Sequence, residues 1–166
     1  MVKPRMLRAL LLPDWLARRA FPKADLDAVE AAVAAAEAGH RGEIRVAIAL
    51  APDLADALHG RTVRVRAEDA FAHLRVWDTE GNSGVLIYLA WAERQVEIVA
   101  DRGIAARVPR SAWEEICTEL AAGCRTGRPA PALAKAVAAV GALLRAHFPS
   151  ADAPNPDELP NRPQFE

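Results

Sequence analysis

The 166-residue chain carries 21 basic and 22 acidic residues, with 52% hydrophobic and 26% charged content and two cysteines. This length and balance describe one globular domain with a core of its own, and exclude a disordered chain or a disulfide scaffold. A net charge of −1 gives no electrostatic reason to expect nucleic acid or a membrane surface as a partner.

The opening stretch, MVKPRMLRALLLPDWLARRAFP, resembles a signal peptide only superficially. Its apolar core is short, Pro13 and Asp14 interrupt it, and no small-residue cleavage site follows. Residues 3–19 read instead as an amphipathic helix, or two short ones broken before Pro13. Leu7, Leu10, Leu11, Trp15 and Leu16 make its apolar side, and Arg5, Arg8, Arg18 and Arg19 its basic side. It reads as a helix docked on the domain, with dimerisation or a membrane surface as the sharper alternatives. No stretch of about 18 apolar residues is found, so no membrane span is expected. The expected location is cytoplasmic.

A helix follows over about 22–38, with Pro22 at its start and Gly39 at its end. Leu26, Val29, Val33 and Ala36 form its apolar stripe, with Glu30 and Glu37 beside it. EIRVAIAL (43–50) alternates as a strand should. Ile44, Val46, Ile48 and Leu50 share one face. Arg45, Ala47 and Ala49 share the other, where small residues leave room for a helix. A helix over about 62–75 follows, with Arg61, Arg64 and Arg66 as a solvated face or, less favoured, a phosphate-contacting patch.

GVLIYLAWA (84–92) is a continuous apolar run that fits a central strand covered on both faces. QVEIVA (95–100) alternates, and the short link at Glu93 makes the two a hairpin. Two closing helices carry Trp113, Ile116, Cys117, Leu120 and Cys124, then Leu133, Val137, Val140 and Leu144. Cys117 and Cys124 lie seven apart on one helical face and read as buried, reduced thiols. Seven residues rise roughly 10 Å, too far for a bridge. The end, PSADAPNPDELPNRPQFE, reads as an extended, loosely packed tail.

The order of elements predicts an α/β fold: a three-layer α/β/α sandwich on a small mixed sheet, plus the N-terminal amphipathic helix. The divisions are 1–21 for the helical extension, 22–148 for the α/β/α domain and 149–166 for the Pro-rich tail.

Standard motifs are absent: no phosphate loop, no dinucleotide fingerprint and no nucleophile elbow. His40, His59, His73 and His147 show no zinc spacing with each other or with the cysteines, and read as surface or helix-end residues. The expectation is therefore no nucleotide and no zinc. Geometry offers more. In a hairpin, the start of the first strand and the end of the second share one sheet edge. WDTEGNSG then sits beside ADRG, bringing Asp78, Glu80 and Asn82 toward Asp101. If the 43–50 strand joins by a right-handed helical crossover, it runs parallel and puts His40, Arg41 and Glu43 at the same edge. Oxygen donors on turns suit a hard cation such as calcium or magnesium. The plain alternative is that Asp, Asn and Gly simply make turns here.

The pieces HRGEIRVAIA and AEDAFAHLRVWDTEGNSGVLIYLAWAERQVEIVADRGI, with the paired closing helices, resemble a TPM domain. That family includes plant thylakoid-lumen proteins of photosystem repair and many bacterial proteins, and the likeness covers about 22–148. It is strongest to the short bacterial members. The resemblance implies an α/β/α sandwich, an acid phosphatase activity of the kind claimed for plant members, and a cleft at the loop ends, with divalent cation binding in some members. Carried over by position, Asp78, Asn82 and Asp101 sit in the matching loops and Glu43 belongs to the GEI piece. The chain departs from many members in lacking an exported signal and a C-terminal transmembrane or Gly-rich tail, and in having ADRG where many have a second glycine.

Two functions compete. In a metal-dependent phosphatase, Asp78, Glu80, Asp101 and Glu43 would hold the metal. Asp78 and Asp101 would also orient water, Asn82 would position phosphate and Arg102 would neutralise its charge. In a non-catalytic, cation-stabilised interaction module, the N-terminal helix or the C-terminal tail would meet a protein partner. The absence of a poised Cys, Ser or His nucleophile favours the second; the family likeness favours the first.

Overall fold

The computed structural model describes residues 15, 18–52, 54–150 and 157–166. The helix expected over 3–19 falls almost wholly outside these residues. In chain order the described elements are α1 (Lys23–Glu37), β1 (Glu43–Ala49), α2 (Leu54–Leu58), α3 (Val63–His73), β2 (Gly84–Ala90), β3 (Gln95–Ala100), α4 (Arg102–Ala105), α5 (Arg110–Cys124), α6 (Pro129–His147) and β4 (Gln164–Phe165).

The sheet order is β3-β2-β1-β4. β1 and β2 run parallel with Glu43 opposite Gly84, and β2 and β3 run antiparallel with Val85 opposite Ala100. Alternation sorts the strand side chains into two cores, because successive residues point to opposite faces. Ile44, Val46, Ile48, Val85, Ile87, Leu89 and Ile98 join the larger core with α1, α5 and α6. Ala47, Ala49, Leu86, Tyr88, Ala90 and Val99 join the smaller one with Val63, Ala67 and Ala70 of α3. This is the expected three-layer arrangement. Burial of each large aliphatic side chain stabilises it by about 1.5–3 kcal/mol. Among the described residues, α6 alone is long and apolar enough to cross a membrane by length and composition, and it packs against α1 and α5 in the larger core.

Three local expectations are corrected. Residues 157–166 are not a loose tail: they return along β1, whose Ala47 and Ile48 pair with Gln164 and Phe165 of β4. Leu159 fills the smaller core at 6% exposure. The Phe165 ring stands edge-on to Phe21 at 6.0 Å. The physical reason lies in Arg45. It occupies the β1 face expected to hold small residues, is buried, and gives its guanidinium to the carbonyls of Pro160 and of Arg162 (2.8 Å). A buried cation needs acceptors, and the returning segment supplies them. Second, Arg66 is not solvated: it is buried and paired with Glu93. Third, His40 is fully buried just beyond α1, and its Nδ1 accepts from the Gly42 amide at 3.1 Å. Burial pushes its pKa down to about 4. The cysteines are free, Cys124 buried and Cys117 partly so, and burial pushes both thiols up to about 11.

Candidate metal centre

One edge of the sheet gathers the start of β1, the start of β2 and the end of β3. Glu43 lies opposite Gly84, and the Gly84 carbonyl accepts from the Asp101 amide at 2.9 Å. All three share the strand face that looks toward α3. Gly84 is required there: a Cβ at this position would lie 1.9 Å from the Val76 carbonyl oxygen, so the chain leaving α3 crosses directly over it. That crossing segment leads into the acidic turn, in which Asn82 takes a left-handed φ of 48°.

Asp101 is 8% exposed and caps α4, its Oδ1 accepting from the Arg102 amide at 2.7 Å. Its Oδ2 is buried without a hydrogen-bond partner. The turn packs against the same short helix: a Cβ on Gly103 would lie 2.6 Å from the Asn82 carbonyl oxygen and 3.1 Å from that of Gly81. The turn that carries Asn82 thus packs on the short helix that Asp101 caps. Asp78 and Glu80 are exposed and engaged elsewhere. The Asp78 carboxylate pairs with Arg75 at 3.1 Å, and the Glu80 amide donates to Glu158 Oε2 at 3.0 Å. Arg102 is exposed.

Glu43 turns the other way. Its Oε2 accepts from the Leu159 amide at 3.3 Å, and it belongs to a set with Glu37 and Asp157 whose ligand atoms lie within 4.8 Å of one another. Among the described residues this is the one such group of three or more acidic, His or Cys ligands. Glu37 Oε1 accepts from the Ile44 amide at 2.7 Å, which holds the end of α1 to β1. Asp157 enters from the returning segment. Burial, reinforced by Glu43 and Asp157, pushes the Glu37 carboxyl up to about 8, against the pull of the Ile44 hydrogen bond. Burial likewise raises Glu43 to about 7.

Three carboxylates at this spacing fit a hard cation, whose ligand oxygens at 2.3–2.6 Å lie at most about 5 Å apart. The residues named from sequence therefore divide. Glu43 and Asp101 stand two strands apart, roughly 10 Å at the backbone, with the Glu43 carboxylate directed toward β4. They do not meet at one ion, and Asp78, Glu80 and Asp101 do not join the acidic set. Sequence reading missed Glu37 and Asp157 as partners of Glu43. Glu37 sits beside the apolar stripe of α1, a position that gave a usable signal. Asp157, 114 residues downstream of Glu43 in a Pro-rich stretch, had no local signal at all.

Among the described residues, no side chain at this edge is set up as a covalent nucleophile. Ser83 is buried and donates its hydroxyl to the Arg41 carbonyl at 3.0 Å, and the thiols are held protonated far above neutral pH.

Residues 18–143 match a family model described as the TPM domain. The chain is similar to the NMR structure of BA42 protein from the psychrophilic bacterium Bizionia argentinensis, with 27% identity and a TM-score of 0.76 over 87% of this chain and 94% of that one. It also resembles, in fold, the N-terminal domain of cg2496 protein from Corynebacterium glutamicum, with 14% identity and a TM-score of 0.57 over 80% of this chain and 78% of that one. No curated protein matches.

Proposed function

This chain belongs to the TPM domain family, and on that premise we propose that it is a non-catalytic, cation-stabilised interaction module holding calcium or magnesium between Glu37, Glu43 and Asp157. The observation that carries this reading is the acidic set itself: three carboxylates from three separate segments within 4.8 Å. Two of them also accept backbone N–H groups, Glu37 from β1 and Glu43 from the returning segment. A cation there neutralises mutual repulsion and ties α1, β1 and residues 157–166 to one point. The protein-facing surface on this side is the acidic turn, where Trp77 is 49% exposed and offers an aromatic anchor to a partner.

The test is thermal melting of the purified protein in EDTA, calcium or magnesium, alongside Glu43→Gln. A ligand at a hundred times its Kd stabilises by about 2.7 kcal/mol, a rise in Tm of roughly 5–10 °C for a chain of this size. The rise is expected in wild type and lost in the variant. Equal melting temperatures in EDTA and in both cations would overturn the reading.

A second reading, cation-dependent hydrolysis of phosphate monoesters, is favoured by one observation: the buried, unpartnered Oδ2 of Asp101 at the cap of the short helix on which the Gly81–Asn82 turn packs. A cation bound there would supply Lewis-acid charge to phosphate and an acidified water. Asn82 and Arg102 would orient the phosphate, and Asp101 would hold the cation. Hydrolysis of an aryl phosphate that needs a divalent cation and disappears in Asp101→Asn would establish it in place of the first reading.

A further inference from the structure

The two edges of the sheet are treated differently. β4 covers the outer side of β1, whereas among the described residues no strand lies beyond β3. An open edge presents unpaired N–H and C=O groups, a template for another strand. The Asp101 amide donates inward to Gly84. Antiparallel alternation then turns Gln95, Glu97 and Val99 inward to β2, and Val96, Ile98 and Ala100 outward.

At the midpoint of this edge both outward groups of Ile98 are capped. The Arg64 guanidinium reaches around from α3 and donates to the Ile98 carbonyl at 3.0 Å. The Ile98 amide hydrogen-bonds the Cys117 sulfur, presented by α5. Arg64 is itself held in place, by Glu68 at 2.7 Å and Glu97 at 3.6 Å. On either side of these caps, Val96 and Ala100 line a groove of about 770 Å³ between α3 and α5.

We propose that Arg64 and Cys117 guard this edge against pairing with β3 of a second copy of the chain. The edge is self-complementary. A two-fold axis through Ile98 sets Val96 opposite Ala100 of the other copy and Ile98 opposite itself, so every outward donor meets an outward acceptor. The charges along the groove are also balanced for such a pairing: Arg64 and Arg110 on one hand, Glu97 and Glu114 on the other. What prevents it is that the central pair of hydrogen bonds is already spent on the two side chains, and a guanidinium occupies the space that the other backbone would need.

The test is sedimentation velocity over a concentration series on the full chain. Wild type stays monomeric. Arg64→Ala dimerises with a Kd tighter than about 1 mM. Adding Val96→Pro, which removes an outward donor without touching the ladder to β2, restores the monomer. Glu68→Gln with Glu97→Gln frees the guanidinium without deleting it, and gives association between wild type and Arg64→Ala. This second variant also serves if Arg64→Ala melts non-cooperatively. The proposal is overturned if cooperatively folded Arg64→Ala and the double glutamine variant both remain monomeric. It is overturned equally if the dimer survives Val96→Pro, or if wild type already dimerises through this edge.

Discussion

Replacing Leu159 with alanine tests whether residues 157–166 are an integral part of the fold. Leu159 is 6% exposed and sits among Ala47, Val63, Leu86 and Val99 in the smaller core. Truncation removes about three carbons, or about 2.4 kcal/mol of transfer energy at about 0.8 kcal/mol per methylene. The cavity adds to this, but a short segment at the sheet edge can settle inward, which keeps the total near the lower end of the usual range for Leu→Ala. The expected loss is about 2–3 kcal/mol. Urea unfolding measures it. Amide hydrogen exchange then reports whether the segment opens as a unit. The Leu159 amide, bonded to Glu43, and the Glu166 amide, bonded to Ile48, should lose protection together while the β1–β2 ladder keeps its own. A loss below about 0.5 kcal/mol, with protection of both amides unchanged, refutes the claim that the segment is bolted to the sheet.

Gly84→Ala forces a methyl group onto the Val76 carbonyl and should leave the chain largely unfolded by circular dichroism; a cooperative melt near the wild-type temperature counts against the crossing described. Glu37 and Glu43 are held at about 8 and 7, above the ordinary 4.5, so in the metal-free protein their contribution is complete below the ordinary value, declines as pH rises above it, and is gone once pH passes the folded values of about 7 and 8. Glu37→Gln should therefore flatten the fall in Tm between pH 6 and pH 9 measured in EDTA, and an unchanged slope argues against a buried, protonated Glu37.

Much of this architecture is legible in the sequence, and the exceptions share a cause. The alternation of EIRVAIAL and the unbroken GVLIYLAWA report burial on one or both faces, which is a local property, and both strands form where the pattern places them. The short α4 is harder to read: Asp101, a turn residue by composition, is also a helix cap, and only its orphaned second oxygen distinguishes a constrained carboxylate from a solvated one. The returning segment is misread because proline signals extended backbone without saying whether it is free or docked. The clue lay far away, in an arginine among alanines on the face of β1 that shares Leu159's core. The acidic set is the extreme case. Glu37 and Glu43 are six residues apart, but the third member is brought in by long-range packing that no window of sequence contains.

The docking of residues 157–166 also bears on how the protein is made. Arg45 enters a buried face early in synthesis, yet its acceptors, the carbonyls of Pro160 and Arg162, are translated more than a hundred residues later. Until then the nascent domain holds a strand with a bare edge and an uncompensated guanidinium. Folding on the ribosome therefore cannot finish before residues 157–166 clear the exit tunnel, and the partly built sheet is the species that a holding chaperone would meet.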